Sequence, residues 1–201
     1  MKRNDDYNAT LTREQFLFYE IRIVAGLLCN RHTKDEALEI IHSENLFQFP
    51  TERMINNIFN VCIKRINALD SKNLTYHLAH APVDISKQVN LYAMMKYNGI
   101  VRDFMTYVIG EKFRLQEFQF SRSDLNIFFM ELQDRVEGIS KWSESTVNKI
   151  KQVLTKSLVE CGYLDTAKST TLNPVYLYPE LEDEIRAKSD LSMLNAFNCF
   201  T

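Results

Sequence analysis

The chain has 201 residues but only 5 Gly and 4 Pro, where average usage gives about 14 and 10, so turn-rich sandwiches and barrels are disfavoured and helices with short joints are expected. Hydrophobic residues at 45% and charged residues at 25% exclude gross disorder, and the length suits one domain or two small ones. A formal charge of −2 excludes a polybasic coat protein, so any contact with nucleic acid must come from a local patch.

The opening run Met1-Lys2-Arg3-Asn4-Asp5-Asp6 lacks the apolar stretch of a signal peptide. The most apolar run, Ile23 to Cys29, is far short of the ~20 residues that cross a bilayer. Cys29, Cys62, Cys161 and Cys199 are widely spaced and form no CxxC pair. They read as free thiols of a reduced, cytoplasmic protein.

Helix starts recur along the chain. Thr12 with Gln15 reads as a capping box, in which the hydroxyl accepts a first-turn amide and the residue three on reaches back. It would open a helix to about Cys29, with Phe16, Tyr19, Ile23 and Leu27 at helical spacing. Thr33 with Glu36 repeats the box for a helix through about Ser43, and Thr51 caps one to about Leu69. A short helix near Leu74 to His80 follows, then one from Asp84 to about Tyr97, where Asn98-Gly99 reads as a stop. Ile100 to about Phe113 is apolar and reads as buried. Ser121 with Asp124 boxes a helix through about Arg135. After a joint at Gly138, Ser143 or Ser145 caps a helix to about Cys161. Gly162-Tyr163-Leu164 and Pro174-Val175-Tyr176-Leu177-Tyr178 are β-prone and could pair as a hairpin, although the connection is long for one. An acidic helix from Glu180 to about Lys188 follows, its acids first and bases last, as a helix dipole favours. A final apolar segment closes the chain. The fold class is therefore all-α, a multi-helix globular fold with a small C-terminal hairpin as its one β element. The pattern divides it into an N-terminal helical region, 1–118, and a C-terminal winged-helix-like region, 119–201.

Helix, short joint, helix and hairpin from Ser121 to Tyr178 is the order of a winged helix-turn-helix, whose second helix enters a DNA groove. In that second helix Val147, Ile150, Val153, Leu154 and Leu158 form an apolar stripe, and Ser145, Thr146, Asn148, Lys149, Lys151 and Gln152 lie mostly elsewhere. Hydroxyls and amides can bond bases or phosphates, and Lys supplies charge. Five Lys between Lys141 and Lys168 face three acids, Glu144, Glu160 and Asp165. The alternative is an ordinary amphipathic helix with a solvated Lys face. A second unit of this kind could be built from the helix after Thr33 and the helix after Thr51, with Arg53, Asn56, Asn57, Asn60, Lys64 and Arg65 as its polar complement. Its joint exceeds the usual three or four residues, so a plain helical hairpin fits as well.

Signals for an enzyme are poor. His77 and His80 are neighbours on a helix and compatible with a metal, but no third ligand or general base accompanies them. No phosphate-cradling Gly-rich loop, nucleophile elbow or kinase signature occurs, so no cofactor or metal is expected. Trp142 reads as an anchor for the following helix.

Several segments together resemble one family. Tyr7-Asn8-Ala9-Thr10 ahead of a helix bearing Glu20, and Glu44-Asn45-Leu46-Phe47-Gln48 followed by the Arg53…Arg65…Leu69 helix, are similar to the BrxA family of bacteriophage-exclusion (BREX) systems. Ser145-Thr146…Lys149…Leu154…Leu158…Gly162-Tyr163-Leu164 and Tyr178-Pro179-Glu180-Leu181 extend the resemblance over nearly the whole chain. It implies a small, all-helical bacterial protein of anti-phage defence, encoded beside a DNA methyltransferase, an ATPase and a phosphatase-like protein. It also implies helix-turn-helix units, double-stranded DNA as partner, and a likeness to the antitermination factor NusB. Some descriptions of the family place it in the inner membrane, which the hydropathy of this chain opposes.

The expectation is a non-catalytic DNA-binding component of such a system. Arg53, Asn57, Lys64 and Arg65 from the first unit and Lys141, Thr146, Lys149, Lys151 and Lys156 from the second would meet phosphates. The alternative is an adaptor between the defence proteins that does not touch DNA. No membrane contact is expected, and a monomer is favoured.

Overall fold

The computed structural model describes residues 7–200, and the opening run 1–6 lies outside them. Ten α-helices account for most of the described chain: α1 Phe18–Cys29, α2 Lys34–Ser43, α3 Glu52–Leu69, α4 Lys72–His80, α5 Val83–Tyr97, α6 Gly99–Asp103, α7 Gly110–Arg114, α8 Arg122–Arg135, α9 Glu144–Glu160 and α10 Pro179–Ala187. Contacts divide the described residues into two units, Phe16–Tyr97 and, as the other, 7–15 with 98–200. The apolar helical path from Ile100 onward gathers its contacts with the C-terminal half.

In the unit Phe16–Tyr97, α1 packs on α3 and α4, and α3 packs on α5. Thr33 and Glu36 complete a reciprocal cap on α2, and Thr51 caps α3 through the Met54 amide. The expected box at Thr12 does not open α1. The Thr12 hydroxyl donates instead to the Ala9 carbonyl in a short 3-10 turn, Ala9–Thr12, and the helix begins only after Leu17, whose left-handed backbone (φ 52°) interrupts the path. Arg22 of α1 reaches the C-terminal end of α4, its Nε donating to the Ala79 carbonyl and its Nη2 to that of Ala81, both at 3.0 Å. A cation there answers the unpaired carbonyls of the helix end. The second half of α5 is enclosed on every side: residues 89–95 are all buried, Asn90 among them.

In the other unit, residues 99–114 run as one helical path through α6, a π-helical stretch Phe104–Ile109, and α7. Asn98, expected as a stop, is also a start: its Oδ1 accepts the amides of Ile100 and Val101. Gly110 lets the 3-10 segment Leu191–Phe197 approach, since a Cβ on it would lie 2.9 Å from Asn195 Cβ. Tyr163 anchors the same segment by donating to the Ala196 carbonyl at 2.8 Å. Ser121 and Asp124 form the expected box on α8, and Ser143 caps α9 through Thr146.

The hairpin expected between 162–164 and 174–178 does not form. Among the described residues the β pairing is a single antiparallel bridge between Gln119 and Thr171. Phe120 N–H donates to the Thr170 carbonyl at 2.9 Å and Leu172 N–H to that of Phe118 at 2.7 Å. Residues 170–172 therefore pair with the segment ahead of α8. The Asn173 N–H meets the Tyr163 carbonyl at 2.8 Å, and its amide donates to Asp165 Oδ1 at 2.8 Å, which closes residues 164–170 into a loop beside α9.

Candidate nucleic-acid interface

α8, α9 and the 164–170 loop enclose a groove of about 610 Å³. Each wall has a local cause. The Ser121–Asp124 cap sets the first turn of α8 and leaves Arg122 exposed at its start. The apolar stripe of α9, Val147, Ile150, Val153, Leu154 and Leu158, is buried. Helical periodicity then turns Asn148, Lys151, Gln152, Thr155 and Lys156 toward the groove. The bridge at Thr171 fixes the loop that brings Lys168, Ser169 and Thr170 to the third wall. Buried Phe120 and Leu125 make its apolar floor.

Arg122, Lys151, Lys156 and Lys168 line this groove, and among the described residues no carboxylate does. Lys151 Nζ donates to Asn126 Oδ1 at 2.8 Å and lies 5.4 Å from the Phe129 ring centroid. Burial, and then the nearby Arg122 charge, hold its pKa below the ordinary lysine value, with Glu144 opposing. Crowded cations with hydroxyl and amide donors between them can bind a polyanion, phosphate oxygens above all.

The remaining expected residues fall elsewhere. Lys149 is exposed on α9 and Lys141 on the preceding 3-10 turn, both outside the groove lining. Thr146 serves the cap, its amide donating to Ser143 Oγ at 3.2 Å. In the unit Phe16–Tyr97, Arg53, Asn57 and Lys64 are exposed and share one face of α3 with Asn60 by their spacing. Asn56 instead bonds His42 at 2.8 Å. Arg65 is corrected: it is 1% exposed, and its Nη1 donates to the Phe16 carbonyl at 3.2 Å. One residue past Lys64, it is rotated about 100° around the helix and into the core. His80 lies with its ring 4.7 Å from that of Tyr76.

Two groove cations were not expected. Arg122 is the first residue after a cap, where attention falls on the capping side chains. Lys168 lies in a small polar stretch that reads as connection. The signal that could have found both was proximity to the α9 lysines, which is a tertiary property. No helix among the described residues is long and apolar enough to cross a membrane.

The family model for BrxA matches residues 5–189. A "BREX protein BrxA" of Bacillus cereus is 32% identical over 191 residues, covering 94% of this chain and 95% of that protein. Proteins of the same name from Paramagnetospirillum magneticum and Escherichia coli are 23% identical (92% of each chain covered) and 27% identical (81% of this chain and 76% of that one). The crystal structure of an uncharacterized protein from Magnetospirillum magneticum shares the fold, with a TM-score of 0.81 at 22% identity over 96% of this chain and 98% of that one.

Proposed function

The chain belongs to the BrxA family of BREX proteins, and from that premise we propose that it is a non-catalytic component of the defence system that binds double-stranded DNA. The observation that carries this reading is the groove between α8, α9 and the 164–170 loop, walled by four cations and no described carboxylate. In this reading α8 and α9 act as a helix-turn-helix, and the loop after Tyr163 takes the place of the wing. The region 119–201 is then the winged-helix-like domain. Arg122, Lys151, Lys156 and Lys168 meet phosphates, and Lys141 and Lys149 add flanking charge. Asn148 and Gln152 offer modest base readout at most. The exposed Arg53, Asn57 and Lys64 of α3 are a separate set of phosphate contacts. Action in the cytoplasm beside the methyltransferase, ATPase and phosphatase-like components follows from the family's setting.

Backbone-dominated binding is steeply salt-dependent, because each neutralised phosphate releases counterions. Titration of duplex DNA at two salt concentrations tests the proposal. Binding that weakens with salt, with a slope flattened in the double variant Lys151→Glu, Lys156→Glu, supports it. No binding at low salt sinks it. That outcome would favour the adaptor reading, which draws on the large apolar side chains Ile127 and Met130 exposed on α8.

A further inference from the structure

α8 has a second face that the basic groove does not use. At about 100° per residue, Arg122, Leu125 and Asn126 share one side of the helix, and Asp124, Ile127 and Glu131 share the other. This second side borders a shallower groove of about 210 Å³, completed by Tyr107, Leu115 and Glu117 of the 99–117 path. The π-helical stretch Phe104–Ile109 supplies Tyr107. Such widened turns are often found at functional positions because they re-aim a helix face.

Two properties distinguish this face. First, large apolar side chains that line it stand in solvent: Tyr107 is 50% exposed, Leu115 53% and Ile127 49%. Apolar clusters of this kind mark interaction sites. Second, the lining holds four carboxylates, Glu111, Glu117, Asp124 and Glu131, against the single ammonium of Lys112. Lys112 is engaged with Asp124 at 2.8 Å, and Glu111 with Arg114 at 2.6 Å. Glu117 and Glu131 remain as the negative rim, which repels a nucleic acid and attracts Lys and Arg.

We infer that this face is a docking surface for a basic amphipathic helix of another protein. Apolar residues of that helix at i, i+3, i+4 and i+7 would enter between α8 and the 99–117 path, and its flanking Lys or Arg would meet Glu117 and Glu131. The inference does not depend on DNA contact. The two faces of α8 diverge, so partner and polyanion can be held at once, and the acidic rim keeps the two from competing for one surface.

The test uses a synthetic Leu/Lys amphipathic peptide of about 18 residues, five helical turns, titrated into the isotope-labelled chain and followed by amide chemical shifts. A Leu/Glu peptide of equal length is the control. Shifts confined to 105–117 and 124–131, with the peptide Kd raised at least about tenfold by Glu117→Lys with Glu131→Lys or by Ile127→Asp, are the expected result. Duplex-DNA affinity should not fall in these variants, whose amide spectra should match the parent elsewhere. Absence of shifts, shifts centred on other residues, or equal binding of the Leu/Glu peptide would overturn the inference. So would self-association of the chain alone that Ile127→Asp abolishes, because a second copy would then cover the face.

Discussion

Lys151 of α9 is bonded to Asn126 of α8, Nζ to Oδ1, at 2.8 Å. That bond holds an ammonium at the wall of the basic groove instead of letting it extend into solvent, and a preorganised charge loses less freedom when it meets a phosphate.

Lys151→Ala should therefore weaken duplex binding similarly across sequences and lower the slope of log K against log salt by about one. The phosphate charge should also draw a proton onto Lys151, whose pKa burial and Arg122 depress. Affinity should accordingly begin to decline at a lower pH than the ordinary lysine value of 10.5 would set. Fluorescence anisotropy at three salt concentrations and several pH values measures both. An unchanged salt slope would remove Lys151 from the interface.

Arg65→Met should behave in the opposite way. Arg65 Nη1 and Asn90 Nδ2 both donate to the Phe16 carbonyl, at 3.2 and 2.7 Å, so its loss weakens a buried network. We expect a decrease of roughly 1–3 kcal/mol in urea denaturation, with the salt slope of DNA binding unaltered. A flattened slope with full stability would place Arg65 at phosphate.

Asp124 combines a cap with an ion pair: its Oδ2 accepts the Ser121 amide at 2.7 Å and its Oδ1 lies 2.8 Å from Lys112 Nζ. Burial raises its pKa, but the Lys112 and Ser121 hydrogen bonds lower it further, to a value below 3.8. A depressed folded-state pKa means that this stabilisation is present above 3.8 and is lost as pH falls through the folded value. Asp124→Asn should cost about 1–2 kcal/mol at neutral pH and should shrink the difference from the parent in acid. Chemical denaturation at pH 7 and pH 3 reads both, and an equal difference at the two pH values would rule out the titration.

Gly110→Ala places a Cβ at 2.9 Å from Asn195 Cβ and 3.0 Å from its carbonyl carbon. Backbone cannot yield as a side-chain tip can, so a loss of about 1–3 kcal/mol is expected. A calorimetric Tm equal to the parent's would show that Leu191–Phe197 does not pack so closely.

Gln116 ends α7 in the left-handed region, φ 58°, with its amide donating to Phe113 and that of Glu117 to the Lys112 carbonyl. This is the arrangement that glycine favours. Gln116→Gly removes about 1–2 kcal/mol of backbone strain and adds about 0.5–1 kcal/mol of unfolded-state entropy, so a small net rise in stability is expected. A fall in the urea midpoint would contradict it.

Elements fixed by interactions within one turn were legible from the chain. The boxes at Thr33 and Ser121 and the caps at Thr51 and Ser143 are satisfied by residues two or three positions away. The box at Thr12 failed for the same reason in reverse, because Leu17, five residues on, takes a conformation that no capping pattern announces. The β pairing failed because it joins 118–120 to 170–172 across two helices, beyond the reach of local propensity. Half of the groove was legible: Lys151 and Lys156 follow from the apolar stripe of α9, whereas Arg122 and Lys168 come from separate segments.

Near-neutral charge, scarce Gly and Pro, and helical periodicity by themselves determined an all-helical chain in which any polyanion site must be local. Only the tertiary structure decided where that charge collects, through α8 packing beside α9 and one bridge at Thr171 drawing Lys168 alongside. It also turned Arg65 inward and left Glu117, Ile127 and Glu131 on the far side of α8. Periodicity records which side chains share a face, but burial and charge crowding are sums over neighbours in space, and those neighbours are set by packing.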